Sequence, residues 1–291
     1  MSKFIWLNTK ILPAEKAKIS VLDRGFLYGD GVYETVRLYS GHIFRAEQHW
    51  KRLDNSLKGI SLPIPWAPSQ ITNAILKTVK KNKTPECLAR ITISRGVGEI
   101  GYDPTTSKKP TGMVLTSPIR PDLPKLSRTG VKIIFASVRR NHPRSLNPAL
   151  KHTNCLNGIL AKMEALKESA FEAVFLNLEG EIAEGTISNF FLIKNGTIKT
   201  PRLGCGILEG VTRGATLEVA KKEGFDIKET SLSLADAERA DEMFITSTTM
   251  EVMPVVQAGS KKVGKGLPGP ITRQLQEKLR FLIQSELKLI E

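Results

Sequence analysis

LNPALKHTNCLNGILAKMEA, residues 146–165, changes character at its centre. The first half carries Pro148 and shows no periodicity. The second half starts an apolar stripe of Leu156, Ile159, Leu160, Met163 and Leu166, which predicts a helix over 154–169. Upstream, Val131–Val138 is a continuous β run. Downstream, 173–178 and 187–194 are predicted strands, the second closing on the turn Asn195-Gly196. A helix over 212–223 ending at Gly224, a short strand at 243–246 and an amphipathic helix over 270–289, with Leu275, Leu279, Leu282 and Leu287 inward, complete this half.

Before it stands SPIRPDLPKLSR (117–128), which reads as a semi-rigid linker too rich in proline for a helix. The first third opens on an alternating strand, FIWLN (4–8), followed by glycine-rich turns. It then gives β segments at 32–39 and 42–45 joined at Ser40-Gly41, helices over 46–60 and 69–81, and a strand over 87–94. A long polar loop follows over 95–112. The expected fold class is α+β in two domains, 1–117 and 129–291, with the linker 118–128 between them and no internal repeat.

Composition narrows the function. The 291 residues are 41% hydrophobic and 25% charged, which excludes a disordered or fibrous chain and allows a core without disulfides. Lys and Arg exceed Asp and Glu by 43 − 29 = +14, but the basic residues are scattered and aromatics are only 6%. That is thin for stacking on single-stranded nucleic acid, so anionic metabolites are the expected partners and nucleic acid is not. Cys87, Cys155 and Cys205 form no CxxC pair, which points to a reducing compartment. His42, His49, His142 and His152 lack metal-ligand spacing, so no metal site is expected. The stretch MSKFIWLNTK lacks the apolar run of a signal peptide, and no segment approaches a membrane span; a cytoplasmic protein without membrane contact is expected.

Five places could carry chemistry. Lys151 stands just before a predicted helix, where the positive end of the dipole and burial would favour a free amine suited to imine formation; the plainer reading is a solvated loop lysine. Glu184, in EGEIAEGTISNFFLIKNG (179–196), stands at the mouth of an apolar strand and could pair with a heterocyclic N–H or merely cap a turn. In GILEGVTRGATLEVA (206–220), Thr212 reads as an N-cap whose helix start could bind an anion or be an ordinary cap. FITSTTMEV (244–252) offers hydroxyls at a strand end. Arg45 could clamp a phosphate or lie on the surface. Rossmann and P-loop fingerprints are absent.

In this order those segments resemble the fold-type IV pyridoxal-phosphate enzymes, namely branched-chain aminotransferases, D-amino acid aminotransferases and 4-amino-4-deoxychorismate lyases. The resemblance is carried by DRGFLYGDGVYETVR (23–37), FRAEQHWKRL (44–53), SRGVGEIGYDP (94–104), LKHTNCLNGILAK (150–162), EGTISNFF (184–191), GILEGVTR (206–213) and TSTTMEVMPV (246–255), and it spans nearly the whole chain. It implies a small N-terminal α/β domain and a larger β-barrel-like domain with helices. It implies pyridoxal 5'-phosphate as cofactor and Lys151 as the Schiff-base lysine and proton shuttle. Arg45 would hold the phosphate, Glu184 would pair with the pyridine nitrogen, and Val211, Thr212, Ser247 and Thr248 would complete the phosphate cup. Amino acids and 2-oxo acids such as 2-oxoglutarate or pyruvate would be the small-molecule substrates, and a homodimer the assembly.

Substrate class stays open between a transaminase for D-amino acids or branched-chain L-amino acids, the lyase that releases pyruvate and 4-aminobenzoate, and a non-enzymatic anion binder that kept the fold. VYETVR and STTME sit closer to the D-amino acid type, yet Ile100 and Tyr102 replace its arginine–histidine carboxylate trap. Thr35 and Tyr102 match the lyases, whose arginine is Ile100 here. Cys155 stands where many branched-chain enzymes carry tyrosine. Tyr33, Arg37 and Arg95 are the remaining candidates to hold a substrate carboxylate.

Overall fold

The computed structural model describes residues 3–289; Met1 and Glu291, the ends of the expected domains, lie outside them. The chain divides into two compact units, one running to Ile119 and including Leu150–Asn154, the other made of Arg120–Ala149 and the chain from Cys155 onward.

Among the described residues, the first unit contains strands β1 (Phe4–Leu7), β2 (Lys10–Pro13), β3 (Gly31–Tyr39), β4 (His42–Ile43), β5 (Cys87–Ser94) and β6 (Thr111–Ser117). They form one sheet in the order β2-β1-β6-β5-β3-β4. Alternation along β3 sends Val32, Val36 and Leu38 to one face, and α2 (Ala46–Gly59) and α3 (Pro68–Asn82) add Leu53, Leu57, Ile71, Ile75 and Val79 to the same core. Each fully buried Leu or Ile contributes about 1.5–3 kcal/mol. The opposite face of β3 carries half-buried Tyr33, Thr35 and Arg37. The turns expected near residue 23 contain a short helix, α1 (Arg24–Tyr28), because the Asp23 carboxylate accepts the Gly25 N–H and left-handed Gly29 ends it.

The second unit contains β7 (Val131–Phe135), β8 (Glu172–Leu176), β9 (Ile182–Gly185), β10 (Asn189–Lys194), β11 (Thr197–Pro201), β12 (Ile227–Thr230), β13 (Glu242–Ser247), β14 (Glu251–Ala258) and β15 (Lys261–Lys262). Strands β10-β13-β14-β7-β8-β9 run in sequence, and β9 pairs back onto β10 through Glu184 and Asn189, so the sheet closes as a barrel. Phe190, Phe191, Leu192 and Ile193 are all buried, so β10 is covered on both faces. Helices α4 (Leu123–Thr129), α5 (Leu156–Lys167), α6 (Val211–Lys222), α7 (Leu234–Glu238) and α8 (Pro270–Glu286) complete the unit.

Three readings of the sequence are corrected. The segment 118–128 is not helix-free, since α4 begins inside it. Pro124 occupies the first turn, where the missing N–H costs no hydrogen bond. The cap of α6 is Gly210, not Thr212. The apolar stripe of α5 is not its buried face; Ala161 and Ala165 are buried, whereas Leu156, Ile159, Leu160, Met163 and Leu166 are exposed.

Candidate active site

Lys151 lies in an extended stretch laid along the start of β3. His152 bridges to Val32, and the Thr153 N–H donates to the Gly31 carbonyl at 2.9 Å. The Tyr33 N–H donates to the Lys151 carbonyl at 2.8 Å, and the Lys151 N–H donates to Ser56 Oγ at 3.0 Å. Leu150 packs where a Cβ on Gly59 would collide with it. The cap of α5 is Cys155, so Lys151 lies beyond the first turn of that helix. Its Nζ lies 4.5 Å from the centre of the Tyr33 ring. Among the described residues no carboxylate forms an ion pair with it.

The same ring has a second cation on it. The Arg90 guanidinium is 3.7 Å from the Tyr33 centroid. Arg90 is half-buried, lies opposite Thr35 in the β3–β5 register, and has no carboxylate partner among the described residues. Sequence reading did not single it out. The alternation of β5, which places Leu88, Arg90 and Thr92 on one face, was the available signal. Arg37 stacks on Tyr39 at 4.6 Å, on the Tyr33 face of β3. Arg95 is corrected to a scaffold residue. Its Nε donates to Asp30 at 2.8 Å, and its Nη atoms donate to the Ser61 and Ile60 carbonyls at 3.0 and 2.7 Å. Tyr102 is 87% exposed, with its ring edge-on to Tyr28 and its backbone carbonyl held by Arg24. Arg45 caps α2 in a left-handed conformation, φ 52°, a strained position for a side-chain-bearing residue.

A closed charge cluster underlies Lys151. Glu34 is fully buried, with Arg52 Nε and Nη2 at 2.9 and 2.7 Å and His49 Nδ1 at 3.3 Å. Burial opposes its ionisation, but the Arg52 charge and the hydrogen bonds from Arg52 and His49 outweigh that and hold its carboxyl far below the usual range. Burial also pushes the His49 imidazole down, so it stays neutral near pH 7.

In the second unit, Glu184 is buried at the strand pair that closes the barrel. One of its oxygens takes Arg140 Nη2 at 2.7 Å; the other takes the Leu208 N–H at 2.9 Å and Asn189 Nδ2 at 3.3 Å. Arg140 was not anticipated; nothing local in RRNHPR marks it, since its partner is 44 residues on. The adjoining turn is held by buried Glu172, which accepts from the Thr186 and Ser188 hydroxyls at 2.6 and 3.0 Å.

At the start of α6, Gly210 offers no side-chain cap to the amides of Val211 and Thr212, and a Cβ there would collide with Asn189 Oδ1. Helix α6 packs on β13, at whose end the buried Thr246 hydroxyl has no hydrogen-bond partner among the described residues. Ser247 and Thr248 follow it into the β13–β14 turn, where Ser247 Oγ accepts the Met250 N–H at 3.3 Å. Uncapped amides beside a hydroxyl without a partner can hold an anion. Among the described residues no group of His, Cys, Asp and Glu could hold a metal ion, and no helix is long and apolar enough to cross a membrane.

The family model described as "Amino-transferase class IV" matches residues 31–258. A protein of Methanocaldococcus jannaschii named "Putative branched-chain-amino-acid aminotransferase" is 39% identical over 276 residues, covering 95% of each chain. A D-alanine aminotransferase of Listeria monocytogenes is 34% identical, covering 94% of this chain and 93% of that protein. The crystal structure of the T.th. branched-chain amino acid aminotransferase with pyridoxamine 5'-phosphate superposes with TM-score 0.93 at 32% identity, covering 98% of this chain and 95% of the other.

Proposed function

The chain belongs to the class IV aminotransferases, which are pyridoxal-phosphate enzymes, and from that premise we propose that it moves the amino group of branched-chain L-amino acids to 2-oxoglutarate. The observation that carries this reading is Arg90, a half-buried guanidinium on the Tyr33 ring without a carboxylate partner, which can take the second carboxylate of a dicarboxylic acceptor. Ile100 and Tyr102 supply no cation at the two positions where the D-specific enzymes carry their arginine–histidine carboxylate trap.

The residues fit the cofactor. The uncapped amides of Val211 and Thr212, the Thr246 hydroxyl that lacks a partner among the described residues and the neighbouring Ser247 and Thr248 suit its phosphate; the resemblance adds Arg45 as a candidate cation for it. Glu184, paired with Arg140, suits the N–H of a protonated pyridine ring. When bound, the cofactor supplies the electron sink for the pair left at the substrate Cα. Lys151 Nζ would bear the cofactor and, once the substrate amine had displaced it, the freed amine would take the Cα proton and hand it on. Tyr33 backs that amine, and Arg37, Arg90 and Thr35 orient the substrate on the same sheet face.

VYETVR and STTME favour a second reading, amino transfer from D-amino acids, and the D-alanine aminotransferase relative supports it. Half-reactions of the purified enzyme with L-leucine and D-alanine decide between the two. Bleaching of the cofactor band by L-leucine alone is expected; bleaching by D-alanine alone overturns the first reading. Pyruvate released from 4-amino-4-deoxychorismate with no added oxo acid would overturn both. The exposed apolar stripe of α5 supports a homodimer in which a second copy covers it. Three cysteines without a CxxC pair support a reducing, cytoplasmic setting.

A further inference from the structure

Ser56 is fully buried in the middle of α2, and its hydroxyl has only one proton. That proton goes to the Arg52 carbonyl one turn back, at 2.9 Å. The oxygen therefore faces Lys151 as an acceptor only, and it takes the Lys151 N–H at 3.0 Å. Arg52 grips Glu34 through two nitrogens. Glu34 adjoins Tyr33, whose N–H holds the Lys151 carbonyl at 2.8 Å and whose ring lies beneath Nζ. Covalent and hydrogen-bonded links thus form a closed circuit from Lys151 through Ser56, Arg52, Glu34 and Tyr33 back to Lys151. The ion pair within it is neutral overall, so it fixes position without placing a counter-ion on the amine.

We propose that Ser56, backed by the buried Arg52–Glu34 pair, is a positioning residue that holds the Lys151 peptide so that Nζ stays on the Tyr33 ring. The proposal rests on the reading of Lys151 as the cofactor-bearing amine. In its absence the Lys151 N–H loses its acceptor and the amine gains freedom, which misplaces the proton it must move.

The test uses holoenzyme of the wild type, Ser56→Ala and Ser56→Thr, each reduced with borohydride and mapped by peptide mass. The absorbance of the lysine-linked chromophore is titrated with pH, and kcat and KM are taken per bound cofactor. Ser56→Ala is expected to lower kcat about tenfold with KM nearly unchanged. It should move the titration midpoint by about half a unit or more. Ser56→Thr, which keeps the hydroxyl, should restore both. If Ser56→Ala does not fold, Ser56→Cys, a near-isosteric but weaker acceptor, is read by the same titration. A Ser56→Ala enzyme labelled at Lys151 with kcat and midpoint unchanged overturns the proposal alone, even if its melting temperature falls. A wild-type label on a different lysine overturns the underlying reading and the proposal with it.

Discussion

At the scale of single residues, the role proposed for Glu184 separates cofactor binding from catalysis. Glu184→Gln keeps the shape but removes the charge proposed to hold a ring N–H, so turnover should fall far more than cofactor affinity, read by kcat beside fluorescence titration of the apoenzyme. Equal losses in both would make the carboxylate merely structural. Arg140→Met strands that carboxylate in a buried site and should cost about 3 kcal/mol of stability in urea denaturation. A cost near zero would mean that Arg140 does not hold Glu184. Lys151 and Glu184 were singled out because their neighbours form sequence patterns. The contacts of Arg95 were not legible, because the groups that occupy it, Asp30 and the carbonyls of Ile60 and Ser61, are set by the fold and not by a local pattern. Arg90 was missed because one arginine in a short strand looks like any surface cation until the ring it covers is known.

Among the elements, α2 and α3 were readable from their 3.6-residue period, and α2 then supplies the charge cluster beneath Lys151. His49 and Glu34 both titrate below their ordinary values, 6.5 and 4.5. The unfolded chain therefore binds their protons first as pH falls, and the stability they hold at neutral pH is lost on acidification. The melting temperature of the apoprotein should decline below pH 6.5 as His49 is drawn to charge, and further below 4.5. His49→Gln should flatten the upper part of that decline; a wild-type midpoint that rises from pH 6.5 toward 5 would contradict the burial of a neutral imidazole. Gly210→Ala should raise the dissociation constant for pyridoxal phosphate by about tenfold, since the added Cβ must displace Asn189 or the start of α6. An unchanged constant would remove the α6 amides from the phosphate site. Helix α5 was readable as a helix, but the direction of its apolar stripe was not, because the 3.6-residue period does not say which side packs on the sheet; here Ala161 and Ala165 do, and we propose that a second copy covers the stripe. Leu160→Glu should therefore halve the mass in sedimentation equilibrium; an unchanged mass would place the dimer contact elsewhere.

For the molecule as a whole, the α+β class and the second unit's strands followed from alternation and turn residues, but barrel closure did not. Closure depends on the parallel pairing of β7 with β14, more than a hundred residues apart, and on the single Glu184–Asn189 contact, neither of which leaves a local pattern. The return of Leu150–Asn154 to the first unit was equally silent, since its partners are backbone groups of residues 29–33 and the Ser56 hydroxyl. Placement of Lys151 on β3 by these contacts is what makes it a candidate for the reactive amine rather than an ordinary loop lysine. The most direct measurement is therefore to reconstitute the whole protein with pyridoxal phosphate, reduce it with borohydride and sequence the labelled peptide by mass spectrometry. A single phosphopyridoxyl group on Lys151, absent from Lys151→Ala together with all transaminase turnover, is the expected result. A label on any other lysine, or turnover that survives Lys151→Ala, would contradict it.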